Sequence, residues 1–342
     1  MPPGPNTAEH DADTPLSTET ANEDRTADLL FAAYCGDLQR VRSVLDKSSG
    51  EDRNAYVTAR GMDGQTPLHY VSYGPECLIS KNTERSPEDL SIGHSEIAGL
   101  LIEHATDKNQ YVTMQDNGGQ TALHIAAMGD ANLEIIERLI SEATDKNQYI
   151  TLQDNCGFTA LHFAAKGGEY LVVERLINEA TDKNQYVTME TRDGRTALHL
   201  AAARGNFEVR ITSTEPPPAA GCRNIGVADV RQSKNARDYI NKKDAAGYTP
   251  LHEAAVHNAS SVASFLLRIG ANPEARNMEQ NTAWDLAGAP GQERWEVIAA
   301  FISEEYYKRR LWGDKTRSLW GGKTRSLPWL YENSVRAYPL RS

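Results

Sequence analysis

The chain has 342 residues, 39% hydrophobic and 24% charged, with a formal net charge of −11, so a core can form and phosphate is repelled from the surface as a whole, which argues against nucleic acid as its partner. Its four cysteines (Cys35, Cys77, Cys156, Cys222) form no CxxC pair and follow no zinc or disulfide spacing, which excludes a disulfide scaffold and a zinc module and fits reduced thiols. No apolar run approaches the ~20 residues of a bilayer crossing, and the opening MPPGPNTAEHDADT lacks the basic start and apolar run of a secretory signal; a monomeric cytoplasmic or nuclear protein is expected.

In chain order, residues 1–26 are polar and rich in Pro, Thr and Glu, and residues 1–25 hold six acids against the single base Arg25; this composition predicts a disordered acidic segment. From residue 27, Asp28-Leu29-Leu30-Phe31-Ala32-Ala33 is followed by Gly36-Asp37-Leu38 and by Val41, Val44 and Leu45, the pattern of a helix pair that caps an array. Then a block recurs. It reads GQTPLHYV at 64–71, GQTALHIAAM at 119–128, GFTALHFAAK at 157–166, GRTALHLAAA at 194–203 and GYTPLHEAA at 247–255, with a degenerate copy, NTAWDLA, at 281–287. Each block opens at a polar-Gly turn, its threonine caps a short helix, and its Leu and two Ala share one face. A second helix follows, with apolar stripes such as Leu133, Ile135, Ile136, Leu139, Ile140 and Leu171, Val172, Val173, Leu176, Ile177.

The spacing of the block threonines carries more. Thr249 and Thr282 are 33 residues apart, but Thr121 to Thr159 is 38 and Thr159 to Thr196 is 37. The added residues fall in a recurring run, EATDKNQYVT, that lacks the glycine ending the corresponding helix at Leu267-Arg268-Ile269-Gly270; a second helix about one turn longer is expected there. Tyr56, Tyr111, Tyr149, Tyr186 and Tyr239 each stand ten residues before the next threonine and precede Val or Ile, which reads as strand chemistry leading into a hairpin. Such a tyrosine ladder packs neighbouring repeats together or forms an aromatic stripe on a binding face. Two insertions interrupt the period: one near 74–93, and a Pro-containing one at 211–235 that includes Glu215-Pro216-Pro217-Pro218 and predicts a weak point in the array. Residues 236–302 resume the pattern. The tail, 303–342, is basic and contains Trp312, Trp320 and Trp329 and a tandem octapeptide, LWGDKTRS then LWGGKTRS.

The T-P-L-H-x-A block resembles the ankyrin repeat, with the likeness covering residues 27–302. The resemblance implies an all-α solenoid of about seven helix–turn–helix units with short β-hairpin turns, and a partner held on a concave face built from turn tips and first helices. Positions there that differ between repeats are the candidate contacts: Met62, Asp63 and Gln65; Asn117 and Gln120; Asn155 and Phe158; Arg192 and Arg195; Tyr248; and, at helix ends, Tyr73, Met128, Lys166, Arg204 and His257. Lys166, Arg192, Arg195 and Arg204 gather around the third and fourth blocks and predict an acidic complement, and Phe158, Arg195 and Arg204 are expected to be dispensable for stability.

No catalytic, cofactor or metal set emerges. His69, His124, His162, His199 and His252 lie one per repeat, about 10 Å apart in a helix stack, too far to share a zinc ion with ligands near 2 Å; the resemblance implies hydrogen bonds to turn groups and to the repeat threonine. Gly321-Gly322-Lys323-Thr324 lacks the upstream glycine and strand of a phosphate loop. The expectation is a non-enzymatic scaffold or adaptor for a protein partner. Residues 326–340 faintly resemble the start of a SOCS box, which leaves a ubiquitin-ligase adaptor as an alternative, and the basic tail leaves binding of an acidic partner or nucleic acid as another.

Overall fold

A computed structural model describes residues 18–48, 50–74, 87–129, 133–205 and 236–287, which form stacked helices with no strand among them. The first pair is α1 (Thr18–Cys35) and α2 (Leu38–Asp46), followed by α3 (Gly50–Val57). Next come α4 (Pro67–Val71), α5 (Pro87–His104) and α6 (Lys108–Val112), then α7 (Ala122–Ala126), α8 (Leu133–Glu142) and α9 (Lys146–Ile150). The third block gives α10 (Ala160–Gly167), α11 (Tyr170–Glu179) and α12 (Lys183–Val187), and the fourth gives α13 (Ala197–Arg204). The last elements are α14 (Ala236–Ile240), α15 (Pro250–Val256), α16 (Ser260–Ile269) and α17 (Ala283–Ala287). The first helices α1, α4, α7, α10, α13, α15 and α17 stack in one row, and α2, α5, α8 and α11 stack in a second. Their buried Leu, Ile, Val and Ala join one core that runs from Leu29 to Ala287.

Each block helix starts the same way. Thr121 holds an extended backbone, its N–H donates to His124 Nδ1 at 3.1 Å, and its hydroxyl meets the same nitrogen at 2.8 Å. An Nδ1 that accepts leaves the proton on Nε2, which donates onward to the carbonyls of Leu152 at 3.0 Å and Phe158 at 3.2 Å in the next turn. Thr66–His69, Thr159–His162, Thr196–His199 and Thr249–His252 repeat the arrangement. Burial lowers the pKa of all five rings, to about 4 for His162 and His199. In the degenerate copy Asp285 takes the histidine's place, its carboxylate accepting from Thr282 N–H at 3.0 Å.

The turns are tight, with Asp116 N–H donating to the Gln120 carbonyl at 2.8 Å, and the hairpins expected from the resemblance are present as these turns without strands. Asp116 Oδ1 also accepts the N–H of Gly118 and of Gln120, each at 2.8 Å. Successive turns are joined through their backbones: Asn155 N–H to Gly118 at 2.9 Å, Arg192 N–H to Cys156 at 2.9 Å, Ala245 N–H to Asp193 at 2.8 Å. Gly157, at φ +83°, needs the left-handed region and also lies so close to the next turn that a Cβ would stand 2.8 Å from Arg192 N.

Several expectations are corrected. The second helix is not one turn longer: α8 ends at Glu142, and Asp145 starts the separate α9 by accepting the Gln148 N–H at 2.8 Å. The carboxylate cap starts a new turn more favourably than α8 can continue. The Tyr-Val pairs are not strand entries, since they close these one-turn helices with both side chains buried. Tyr111, Tyr149 and Tyr186 are 1–2% exposed, so they pack the array and form no surface stripe. Their hydroxyls face the capping threonine and Leu backbone of the block helix, as Tyr149 faces Thr121 and Leu123, yet none makes a hydrogen bond of normal geometry. Asn147 ties the run to the next repeat by accepting the Thr181 N–H at 3.0 Å, as Asn109 does for Thr144 at 2.8 Å. Leu171, placed on an apolar stripe by its spacing, is 57% exposed. The acidic segment read as disordered is helical from Thr18 on, and residues 87–93, read as part of the first insertion, are helical because α5 begins at Pro87, a residue suited to a first helical position.

The 211–235 insertion and the 303–342 tail lie outside the described residues. On either side of the insertion the first-helix row does not break: His199 Nε2 reaches the Tyr248 carbonyl at 3.1 Å, and Lys242 pairs with Glu190 at 2.7 Å.

Candidate interaction surface

Turn tips and first helices present three sets of side chains, set by distance from the block threonine. One residue before it stand Gln65, Gln120, Phe158, Arg195 and Tyr248. Four residues after it stand Tyr70, Ile125, Phe163, Leu200 and Glu253, and near the helix end stand Tyr73, Met128, Lys166, Arg204 and His257. The tips carry Met62, Asp63, Asn117, Asn155 and Arg192, all exposed, with Met62 at 99%.

The residues before the threonine do not behave as a set of free contacts. Gln65 is 8% exposed and donates to Tyr73 Oη at 3.0 Å and to Asp116 Oδ2 at 3.2 Å. Gln120 reaches Asp154 at 3.5 Å. Arg195 pairs through Nη2 with Glu253 and lies 3.7 Å from Asp244 through Nε. Each therefore addresses the turn carboxylate of the following repeat. Phe158 and Tyr248 are the exceptions: the turns that follow them carry Thr191 and Asn277 where the other three carry aspartate, and Phe158 packs instead on Phe163, ring centroids 5.3 Å apart. Arg195, read from sequence as a contact with an acidic partner, has its charge balanced within the chain; Lys166, Arg192 and Arg204 are exposed and form no ion pair among the described residues.

Met128 is 39% exposed, Lys166, Arg204 and His257 are exposed, and Tyr73 and Tyr248 are half-buried; Tyr248 stacks on His252 at 5.6 Å and His257 lies 3.5 Å from Glu253. Sequence reasoning missed Tyr34, Tyr70, Phe163 and Glu253 on this face. Tyr34 occupies in α1 the place that Met128 and Tyr73 hold in later repeats, and its ring meets Tyr70 and Tyr73 edge-on, each at 6.4 Å. Tyr70 could have been found by the absence of an aspartate five residues before Thr66. Gly61 stands there, and the Tyr70 hydroxyl lies 2.9 Å from where its Cβ would be. Burial first, then Asp63, raises the Tyr70 pKa. The surface offers half-buried rings, apolar side chains and unpaired cations, which are groups that recognise a macromolecule.

Comparison with known proteins agrees with this architecture. Residues 133–211 match the family model of ankyrin repeats (3 copies), and residues 246–278 match that of a single ankyrin repeat. A curated ankyrin repeat protein of Neisseria meningitidis serogroup B is 36% identical over 87 residues, which make up 25% of this chain and 32% of that relative's length. No helix among the described residues is long and apolar enough to cross a membrane.

Proposed function

The chain carries ankyrin repeats, and from that premise we propose that it is a non-enzymatic adaptor holding a protein partner on the face made by its turn tips and first helices. One observation carries the reading. The side chains common to the repeats are occupied with one another: threonine with histidine, histidine with the next turn, Asp145 with Gln148, Asn147 with Thr181. Met62, Met128, Lys166 and Arg204 vary between repeats and remain exposed at the turn tips and first-helix ends. An interface is where unpaired Arg, Met and aromatic groups have a use.

A photo-reactive residue introduced in cells at Met128 or Lys166, and for contrast at Glu137 or Glu174 on the second helices, tests it. The first two positions are expected to retrieve a cross-linked protein and the second two none. Retrieval from Glu137 or Glu174 alone would move the interface to the other side and end this reading.

A further inference from the structure

We propose that this face is ordered by charge for one extended segment of a partner protein, with a cationic residue at Tyr34, Tyr70 and Tyr73, an apolar residue at Met128 and Phe158, and an acidic residue at Lys166 and Arg204. The inference rests on the function proposed above and specifies the chemistry of the occupant.

The cation end stands on rings and a carboxylate together. Tyr34 meets Tyr70 at an interplanar angle of 88° and Tyr73 at 70°, so ring faces point in different directions, and all three residues are half-buried with area left for a ligand. Asp63 is exposed at the adjoining turn tip, and Gln65 links the Tyr73 hydroxyl to the Asp116 carboxylate through contacts of 3.0 and 3.2 Å. Negative ring faces beside the exposed Asp63 carboxylate attract a lysine or arginine side chain. The middle is apolar: Met128 is 39% exposed, and Phe158 lies on Phe163 opposite a turn that opens with Thr191 in place of aspartate and carries its one acid, Asp193, at the exposed tip. At the far end Lys166, Arg192 and Arg204 are exposed without ion pairs among the described residues, while Arg195 does not count because Glu253 and Asp244 balance it.

Spacing follows from the stack. Packed helices lie about 10 Å apart, so the cation end and the apolar middle, two steps apart, are separated by about 20 Å, with the acid-binding end about 10 Å further. An extended chain advances about 3.3 Å per residue. The occupant therefore carries its cation about six residues from its apolar anchor, and its acid about three residues beyond.

The probes are fluorescein-labelled twelve-residue peptides with Gly/Ser filler. Two carry the matched order in the two chain directions, Lys-x5-Leu-x2-Glu and Glu-x2-Leu-x5-Lys. Two carry the charges exchanged, Glu-x5-Leu-x2-Lys and Lys-x2-Leu-x5-Glu. Fluorescence anisotropy with the full chain is expected to favour one matched peptide over both exchanged ones by about tenfold at low salt, with the preference shrinking as salt rises. The double variant Asp63→Lys, Lys166→Glu changes two exposed side chains and is expected to reverse the preference, with its thermal melt confirming the fold. Equal binding of all four peptides, no binding by any at millimolar concentration, or no reversal in the double variant would overturn the charge order. If that happens while Met128 still cross-links a partner, the function reading stands and only this inference falls.

Discussion

Replacing Arg195 with alanine separates a packing role from a contact role. Glu253 occupies a position filled elsewhere by Tyr70, Ile125, Phe163 and Leu200, and its side chain is only 5% exposed. Arg195 pairs with it across the first-helix row where the 211–235 insertion intervenes in sequence, and His257 Nε2, 3.5 Å away, is the other group at that carboxylate. Breaking a buried pair by removing one partner costs about 3–5 kcal/mol. Arg195 is 31% exposed, so solvent already screens the pair, and about 2–3 kcal/mol is expected for Arg195→Ala. At roughly 2–4 °C per kcal/mol for an array of this size, the melting temperature falls by about 5–10 °C. Glu253→Leu alone leaves Arg195 near Asp244 and partly in water, for a cost of about 1 kcal/mol or less. The double variant Arg195→Ala, Glu253→Leu restores the residue type of Leu200 and is expected to approach the parent, giving a coupling of about 2 kcal/mol in the cycle. Thermal melts of the four proteins, with hydrogen exchange read on residues 250–269, measure it. An unchanged melt for Arg195→Ala, or a double variant as unstable as that single one, would refute the reasoning and return Arg195 to the contact residues.

Three further outcomes follow from the packing. The repeat histidines are neutral in the folded chain, with His162 and His199 lowered to about 4 from an ordinary 6.5, so the unfolded chain takes up protons first as the pH falls. Their stability is present above about pH 6.5 and is lost towards pH 4, each ring contributing up to about 1.4 kcal/mol per pH unit; urea midpoints should drop between pH 7 and 5, and a flat profile would contradict this. Tyr149→Phe removes a buried hydroxyl that lacks a good hydrogen bond, so chemical denaturation should show a change within about 0.5 kcal/mol or a gain, whereas Tyr149→Ala should lose about 3–5 kcal/mol. Gly157→Ala forces a side chain into φ +83° and against Arg192 N at 2.8 Å, for an expected loss of at least about 2 kcal/mol; a neutral result would mean the turn ladder yields freely.

Much of the fold was legible because its determinants are local. A threonine three residues before a histidine, with Leu and Ala on one face, specifies each block helix without help from distant residues. What escaped notice was competition between local signals. Counting from Leu267 to Gly270 found the extra residues in the longer repeats, but the absent glycine argued for helix continuation when Asp145, three residues before Gln148, was already a cap. The β-propensity of Tyr149-Ile150 was overridden by burial at the end of α9. Exposure at the tips and helix ends was legible, as at Met62 and Lys166, whereas the contacts that occupy Gln65 and Arg195 within the chain were not. Glu253 and Arg195 are 58 residues apart, and no local pattern pairs them.

That pairing changes how variation between repeats should be weighed. A position that differs from repeat to repeat looks free to choose a partner, and the residues before the threonines differ at every step but the first, from Gln65 to Gln120. Yet Gln65, Gln120 and Arg195 each reach the aspartate of the following turn, at Asp116, Asp154 and Asp244, and the residue becomes Phe158 where that aspartate is replaced by Thr191. The variation there follows the neighbouring turn within the chain, so a polar or charged residue in this set is explained by stacking before any ligand is invoked. On the function proposed above, specificity falls to the positions with no such neighbour: the tips at Met62, Asp63 and Arg192, the helix ends at Met128, Lys166 and Arg204, and Phe158 itself. On the proposed charge order, a surface that runs from tyrosines and a carboxylate, through Met and Phe, to Lys and Arg discriminates by the order of charges it meets as well as by its area.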